Sequence, residues 1–93
     1  MPYVVAKFKV KDYVQWRQHF DMGASMRKAN GLISEHVFKN EGNPNEVALV
    51  FEWQDLEKAK QLMQSPELKE RMKESGVEGQ PEIFLEAEQK VGV

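Results

Sequence analysis

The chain has 93 residues, and its 13 Lys or Arg and 15 Asp or Glu residues leave a formal net charge of −2. Because the basic residues are interleaved with acidic ones, the sequence lacks the basic footprint of a nucleic-acid-binding protein. It contains no cysteine, which excludes disulfides, thiolate metal sites and thiol catalysis. A chain of this length predicts one domain, over residues 1–93.

The N-terminus and the apolar runs predict a soluble, cytoplasmic protein. Met1 and Pro2 lead directly into a predicted strand, without the charged segment and apolar run of a signal peptide. No apolar run approaches the roughly 20 residues that are needed to cross a membrane. We therefore expect neither a membrane nor a nucleic acid among the partners of this protein.

A strand and a helix are predicted in the first third of the chain. Residues Tyr3–Val10 alternate between two faces, one of which is wholly apolar. Asp12 is a favourable N-cap for the first helix, and Gly31 is a typical stop signal. Gly23 falls inside this helix, where it would allow the close approach of a strand or a ligand. The apolar positions of the helix are Tyr13, Trp16, Phe20 and Ala24.

Two further strands follow, joined as an antiparallel hairpin. The second strand is predicted at Leu32–Lys39, and residues 40–45 form a polar loop rich in turn-forming residues. The third strand, Glu46–Trp53, has one wholly apolar set of alternate residues and one that is mostly apolar. Since a strand that is apolar on both sides is typical of a sheet interior, we place it near the centre of the sheet.

The second helix carries a signal for a break in its middle. Asp55 caps its start, and Gly76 ends it. Ser65 can cap a new helical turn, and Pro66 suits the first position of a helix. We therefore expect the second helix to be kinked or divided just before Pro66. Its apolar positions are Leu56, Ala59, Leu62, Met63, Leu68 and Met72.

The order of elements is strand, helix, strand, strand, helix, strand, which is the split β-α-β arrangement of ferredoxin-like α+β folds. The last strand is predicted at Glu82–Glu88, after a turn at residues 79–81. Right-handed crossovers place both helices on one face of a four-stranded antiparallel sheet, with the strands in the spatial order 4-1-3-2.

Two helices cover only one face of this sheet, yet the strands carry apolar residues on both faces. Val5, Ala48 and Val50, or else the residues that alternate with them, must point away from the helices. A bare apolar face of this kind needs a cover on a soluble protein. The simplest cover is a second copy of the same sheet, so we expect a homodimer.

Motifs along nearly the whole chain carry a resemblance to a known family. They are Asp-Tyr-Val-Gln-Trp at residues 12–16, Gly31, Phe-Glu-Trp-Gln-Asp at residues 51–55, and Ser65-Pro66. On these motifs the chain resembles the dimeric α+β barrel proteins, and within them the small antibiotic-biosynthesis-monooxygenase-like and cyclase-like domains. The resemblance implies a homodimer in which two sheets face each other as a barrel. It also implies a pocket in each subunit, between the sheet and the helices.

The resemblance implies positions for catalytic residues as well, and this chain departs from them. Oxygenases and haem-degrading members commonly have a His in the second helix before Ser-Pro, where this chain has Leu62. Many relatives have a His directly after Ser-Pro, where this chain has Glu67. Haem-degrading members also use an Asn in the first strand and a Trp in the second helix, and this chain has neither. We therefore expect no haem, flavin or metal cofactor.

His19 and His36 are the two histidines of the chain and its candidate acid–base residues. Unperturbed imidazole titrates near pH 6.5, which suits proton transfer. His19 follows Trp16 by three residues, and His36 lies in the second strand on the side of Phe38. The alternative is that each is a partly buried polar residue with a local hydrogen bond. No His, Asp or Glu cluster has the spacing of metal ligands.

Aromatic residues from the first helix and the third strand are candidates for a ligand pocket. An aromatic pocket suits a flat apolar molecule, but the same residues can equally form the ordinary core of a small domain. The candidate pocket residues are Tyr13, Trp16, Phe20, Trp53 and Leu62.

Two functions follow from these patterns and the resemblance. The first is a small homodimeric protein with a pocket for a small hydrophobic or aromatic molecule, and with cofactor-independent chemistry that uses His19 or His36 as the base. The alternative is a non-catalytic regulatory, accessory or stress-related binding module. A cavity with convergent polar groups favours the enzyme, whereas a cavity filled by Met and Phe favours a structural role.

Overall fold

The computed structural model describes residues 2–87, over which four strands and four helices follow each other in the order β-α-α-β-β-α-α-β. The predicted end of the last strand at Glu88 lies outside these residues. The elements are β1 (Pro2–Val10), α1 (Tyr13–Met22), α2 (Ala24–Ala29), β2 (Leu32–Asn40), β3 (Asn43–Trp53), α3 (Leu56–Met63), α4 (Pro66–Glu74) and β4 (Val77–Ala87). None of these helices is long and apolar enough to cross a membrane.

The strands form a single antiparallel sheet in the order β2-β3-β1-β4. This confirms the predicted ferredoxin-like topology and the central position of the third strand. Val5 of β1 lies opposite Val50 of β3 on one side and Phe84 of β4 on the other. The register therefore places these three apolar residues on the same face of the sheet, because directly paired residues point the same way.

The other face of the sheet forms the hydrophobic core together with the helices. Alternate residues of β1 and β3 are buried there, and Trp16 of α1 and Ala59 of α3 pack against them. The buried strand residues are Val4, Ala6, Phe8, Val10, Val47, Leu49, Phe51 and Trp53. The period-two burial confirms that the helices cover a single face.

The first helix differs from its prediction because it is divided at Gly23. Helix α1 ends at Met22, and α2 begins at Ala24. Gly23 has φ −87° and ψ 0°, and its carbonyl accepts a hydrogen bond of 3.0 Å from the Arg27 amide. A Cβ at Gly23 would lie 2.8 Å from Arg27 Nη1. The glycine therefore allows the close approach of a side chain of the same helix rather than of a strand.

The predicted division of the second helix is confirmed. Helix α3 ends at Met63 and α4 begins at Pro66. The Ser65 hydroxyl accepts a hydrogen bond of 3.1 Å from the Leu68 amide, as an N-cap does. A proline in the first turn of α4 loses no backbone hydrogen bond there, because the first amides of a helix have no partner within it.

The last strand corrects the prediction, because it begins at Val77 and runs through the predicted turn. Lys7 pairs with Glu82 and Lys9 with Glu78, so residues 79–81 of β4 lie opposite a single residue of β1. Such a bulge absorbs extra residues without ending the strand. Gly79 adopts a φ of +68°, which glycine allows without strain. Pro81 is tolerated because β4 is an edge strand.

The hairpin between β2 and β3 is also tighter than predicted. Strand β3 begins at Asn43 instead of Glu46, and the connection is a turn at residues 41–42. The Gly42 amide donates a hydrogen bond of 2.8 Å to the Asn40 side chain. Strand β1 pairs only from Glu46 onward, so Pro44 lies where β3 has a neighbour on one side only.

Candidate functional site

A cavity of about 330 Å³ lies between the helix-covered face of the sheet and the helices. Its floor consists of buried residues from β1 and β3, with Ile83 of β4 beside them. Residues from all four helices form its walls. This volume is at the lower end of the roughly 300–1,000 Å³ of small-molecule sites.

An aromatic wall, made of rings from α1 and from the adjoining floor of β1 and β3, lines the cavity. Trp16 stacks on Phe20 with ring centroids 5.0 Å apart and an interplanar angle of 24°. Phe8 lies 5.4 Å from Trp16, and Phe51 lies 6.1 Å from Phe20. These separations are within the range of favourable aromatic pairs. The wall is therefore a preformed surface against which a flat ring can pack.

The helices also contribute methionines to the lining of the cavity. Four of the five methionines of the chain line it, one from each helix: Met22, Met26, Met63 and Met72. Unbranched thioether side chains adapt their shape at little cost and make favourable contacts with aromatic rings. The cavity thus combines a fixed aromatic wall with an adjustable one.

The structure brings three of the five predicted pocket residues to the cavity. Trp16, Phe20 and Leu62 line it. Tyr13 packs beside Trp16 outside the cavity, and its ring lies under the ammonium group of Lys39 at 4.5 Å. Trp53 is fully buried and meets Phe51 edge-on at 6.2 Å. Tyr13 and Trp53 therefore support the core next to the cavity and do not line it.

The two histidines lie on opposite sides of the sheet. His19 lines the cavity from the exposed side of α1, which puts it at the rim. His36 pairs across the strands with Val50 and stacks on Phe38 at 6.4 Å, so it is on the face without helices. Within one subunit the two imidazoles do not form an acid–base pair.

Arg27 is a site residue that the sequence patterns did not reveal. Its exposed fraction is only 8%, and it lines the cavity from α2. Its Nε donates a 3.0 Å hydrogen bond to Glu35 Oε2, and its guanidinium carbon lies 3.9 Å from the centre of the Phe20 ring. Two features of the sequence could have indicated it: Gly23 one turn earlier, and Glu35 at a core-facing position of β2.

Charged residues also stand at the rim. Arg71 of α4 lines the cavity, and its Nη1 donates a hydrogen bond of 3.3 Å to the sulfur of Met26. Glu74, one turn further along α4, lines it too. Across residues 2–87 no three His, Asp or Glu side chains are grouped as metal ligands would be. Of the charged side chains that line this apolar cavity, Arg27 and Arg71 are hydrogen-bond donors and Glu74 is an acceptor.

Comparisons with known proteins agree with this fold. No curated protein sequence is significantly similar to the chain, but many solved structures match it. An antibiotic biosynthesis monooxygenase from Bordetella bronchiseptica, described as putative, has a TM-score of 0.76 at 18% identity, covering 97% of this chain and 96% of that one. SnoaB, described as a cofactor-independent oxygenase from Streptomyces nogalater, has a TM-score of 0.73 at 14% identity, covering 97% and 95%.

A third solved structure matches over the full length of this chain. It is described as a dimeric ferredoxin-like protein from an uncultured marine organism, with a TM-score of 0.65 at 13% identity, covering 100% of this chain and 99% of that one. At these identities the matches show a shared fold. The model of one sequence family, described as antibiotic biosynthesis monooxygenase, matches residues 1–74. Since this match spans most of the 93 residues, the chain belongs to the antibiotic biosynthesis monooxygenase family.

Proposed function

We propose that this protein is a homodimer in which each subunit binds a small hydrophobic or aromatic molecule in its cavity and transforms it without a cofactor. The observation that carries this proposal is the cavity itself, which has aromatic rings and methionines as walls and His19 at its rim. A largely apolar cleft with a few convergent polar groups is the usual form of a small-molecule site.

The position of His19 suits a general base. It lies at the rim, so it can take a proton from a bound molecule and release it to water. An electron-rich aromatic substrate that has lost a proton can pass electrons to O₂ directly, so no cofactor is needed to supply them. SnoaB, which shares the fold, is described as a cofactor-independent oxygenase. His36 is the second candidate base, on the other face of the sheet.

The bare face of the sheet supports the homodimer. Val5, Phe38 and Phe84 point away from the helices and are 39%, 54% and 62% exposed. Ala48 and Val50 lie between them. Together these side chains form the apolar face, by which we mean Val5, Phe38, Ala48, Val50 and Phe84. Monomeric proteins rarely expose a contiguous apolar patch of this kind, and a second sheet would bury it symmetrically.

Oxygen consumption tests the proposed reaction. Purified protein is mixed with a panel of hydroxylated naphthalenes, and O₂ uptake and product are measured together. We expect turnover with at least one compound, its loss in His19→Gln and its persistence in His36→Gln, which carries the same change on the opposite face. Loss of turnover in His36→Gln alone would place the reaction on the face of the sheet that the helices do not cover. Failure of the whole panel would contradict the proposed oxygenation.

The alternative is a binding module without chemistry, and one observation favours it. Over residues 2–87, His19 makes no hydrogen bond that would orient its ring, whereas catalytic bases are usually held by a second group. Saturable binding of aromatic compounds without O₂ uptake would support this alternative and contradict the enzymatic one.

A further inference from the structure

Arg27 lies in the protein interior rather than at the surface. Its side chain is buried against the aromatic wall, with the guanidinium over the Phe20 ring and 6.0 Å from the Phe51 ring. Gly23 leaves room for its Nη1. A buried guanidinium requires acceptors, because moving a charge out of water is costly unless the charge is paired.

The partners of Arg27 within the protein are incomplete. A guanidinium has five N–H donors, and Glu35 takes the one on Nε through a single oxygen. Nη2 is buried and has no hydrogen-bond partner among the residues that the structure describes. Buried donors nearly always have an acceptor, and Arg–carboxylate pairs are frequently two-pronged. Arg27 therefore has hydrogen-bond donors left over for a further acceptor.

The cavity is where that acceptor can come from. Arg27 lines it, with its guanidinium over the Phe20 ring, and an aromatic ring supplies no strong acceptor. Arg71 adds a second guanidinium at the rim, and among residues 2–87 Glu74 is the one carboxylate that lines the cavity. A positive group in apolar surroundings attracts an anion more strongly than it would in water.

We propose that the ligand of this cavity is a small aromatic carboxylic acid, whose ring packs on Trp16 and Phe20 and whose carboxylate accepts hydrogen bonds from Arg27. The planar guanidinium fork matches the two oxygens of a carboxylate. This inference rests on the proposed function, since it names the class of molecule that the cavity takes. It assigns Arg27 as the residue that selects the ligand by charge.

A matched pair of ligands tests the charge preference. 2-Naphthoate and 2-naphthalenemethanol share one ring system and differ in the anionic group, and their dissociation constants are measured by calorimetry on the full chain. We expect naphthoate to bind at least about tenfold more tightly, as a hydrogen bond to a charged group implies. Equal affinities would overturn this inference and leave the proposed function standing. Absence of binding by either compound would overturn both.

Substitutions test whether Arg27 causes the preference for the carboxylate ligand. Arg27→Gln is expected to lose the tenfold preference, whereas Arg17→Gln, the same change at an exposed position of α1 outside the cavity, keeps it. Glu35→Gln frees the guanidinium from a competing carboxylate, so naphthoate should bind more tightly, an effect that a merely structural Arg27–Glu35 pair would not produce. A preference that survives Arg27→Gln, or weaker naphthoate binding in Glu35→Gln, would overturn the assignment to Arg27. Circular dichroism confirms that each variant is folded.

Discussion

A Cβ on Gly23 would lie 2.8 Å from Nη1 of Arg27, one helical turn further along the chain. The break between α1 and α2 and the burial of the guanidinium are therefore parts of one arrangement. The φ of −87° at Gly23 is open to any residue, so what favours glycine there is the space that Arg27 occupies.

Gly23→Ala should lower the ligand preference at a modest cost in stability. Gly23 stands at the N-cap of α2, a position where alanine is less favourable than glycine. We expect urea unfolding to show a loss of about 1 kcal/mol relative to wild type. The preference for 2-naphthoate over 2-naphthalenemethanol should fall, because Arg27 is displaced. An unchanged preference would show that the guanidinium does not need this space.

Ser65→Ala should lower stability through the loss of a helix cap. The Ser65 hydroxyl accepts from the Leu68 amide at 3.1 Å, and removal of such a cap costs about 1 kcal/mol. Ser25→Ala is the matched control, since Ser25 is exposed within α2 and a surface change should stay within about 0.5 kcal/mol. Equal urea midpoints for the two variants would argue against the cap.

Haemin titration tests the expectation that no haem is bound. Leu62 lines the cavity at the position where the family resemblance implies a His, and the one imidazole at the cavity is His19 on its exposed rim. We expect purified protein to be colourless and to cause no Soret shift when haemin is added. Stoichiometric binding that His19→Gln abolishes would contradict this expectation.

Val50→Lys tests the dimer. Val50 lies in the middle of the apolar face, between Val5 and His36. Obligate interfaces commonly bury more than about 2,000 Å², and a charge at the centre of one is costly to desolvate. We expect wild type to sediment as a dimer at micromolar concentration, and Val50→Lys to lose the dimer together with much of its thermal stability.

The control for this experiment is Val14→Lys. Val14 is 64% exposed on α1 and lies away from the apolar face, so this variant should remain dimeric. A monomeric wild type, or a Val50→Lys protein that is dimeric and as stable as wild type, would remove the main support for a dimer in which the two sheets face each other.

Local patterns were sufficient to predict most of the fold. The apolar residues on both sides of β3 indicated its central position, and the Ser65-Pro66 pair indicated the division between α3 and α4, because both signals act over a few residues. The start of β4 was predicted too late because Gly79 and Pro81 are also typical of turns. Only the pairing with β1 shows that they form a bulge in an edge strand.

The site was less predictable because it depends on contacts between distant segments. Trp16 and Phe20 were found through helical spacing, but the same argument also selected Tyr13, which packs just outside the cavity. Arg27 was missed since a charged residue on a helix usually faces solvent. Its burial depends on Glu35 in β2 as well as on its own helix.

Crystal structures of the protein soaked with a panel of aromatic compounds test whether the cavity between sheet and helices is the ligand site. We predict density for a ring packed against Trp16 and Phe20 inside the cavity, within reach of Arg27. Structures in which the same compounds bind only at the apolar face, or in which methionine side chains close the cavity against every compound, would contradict this prediction.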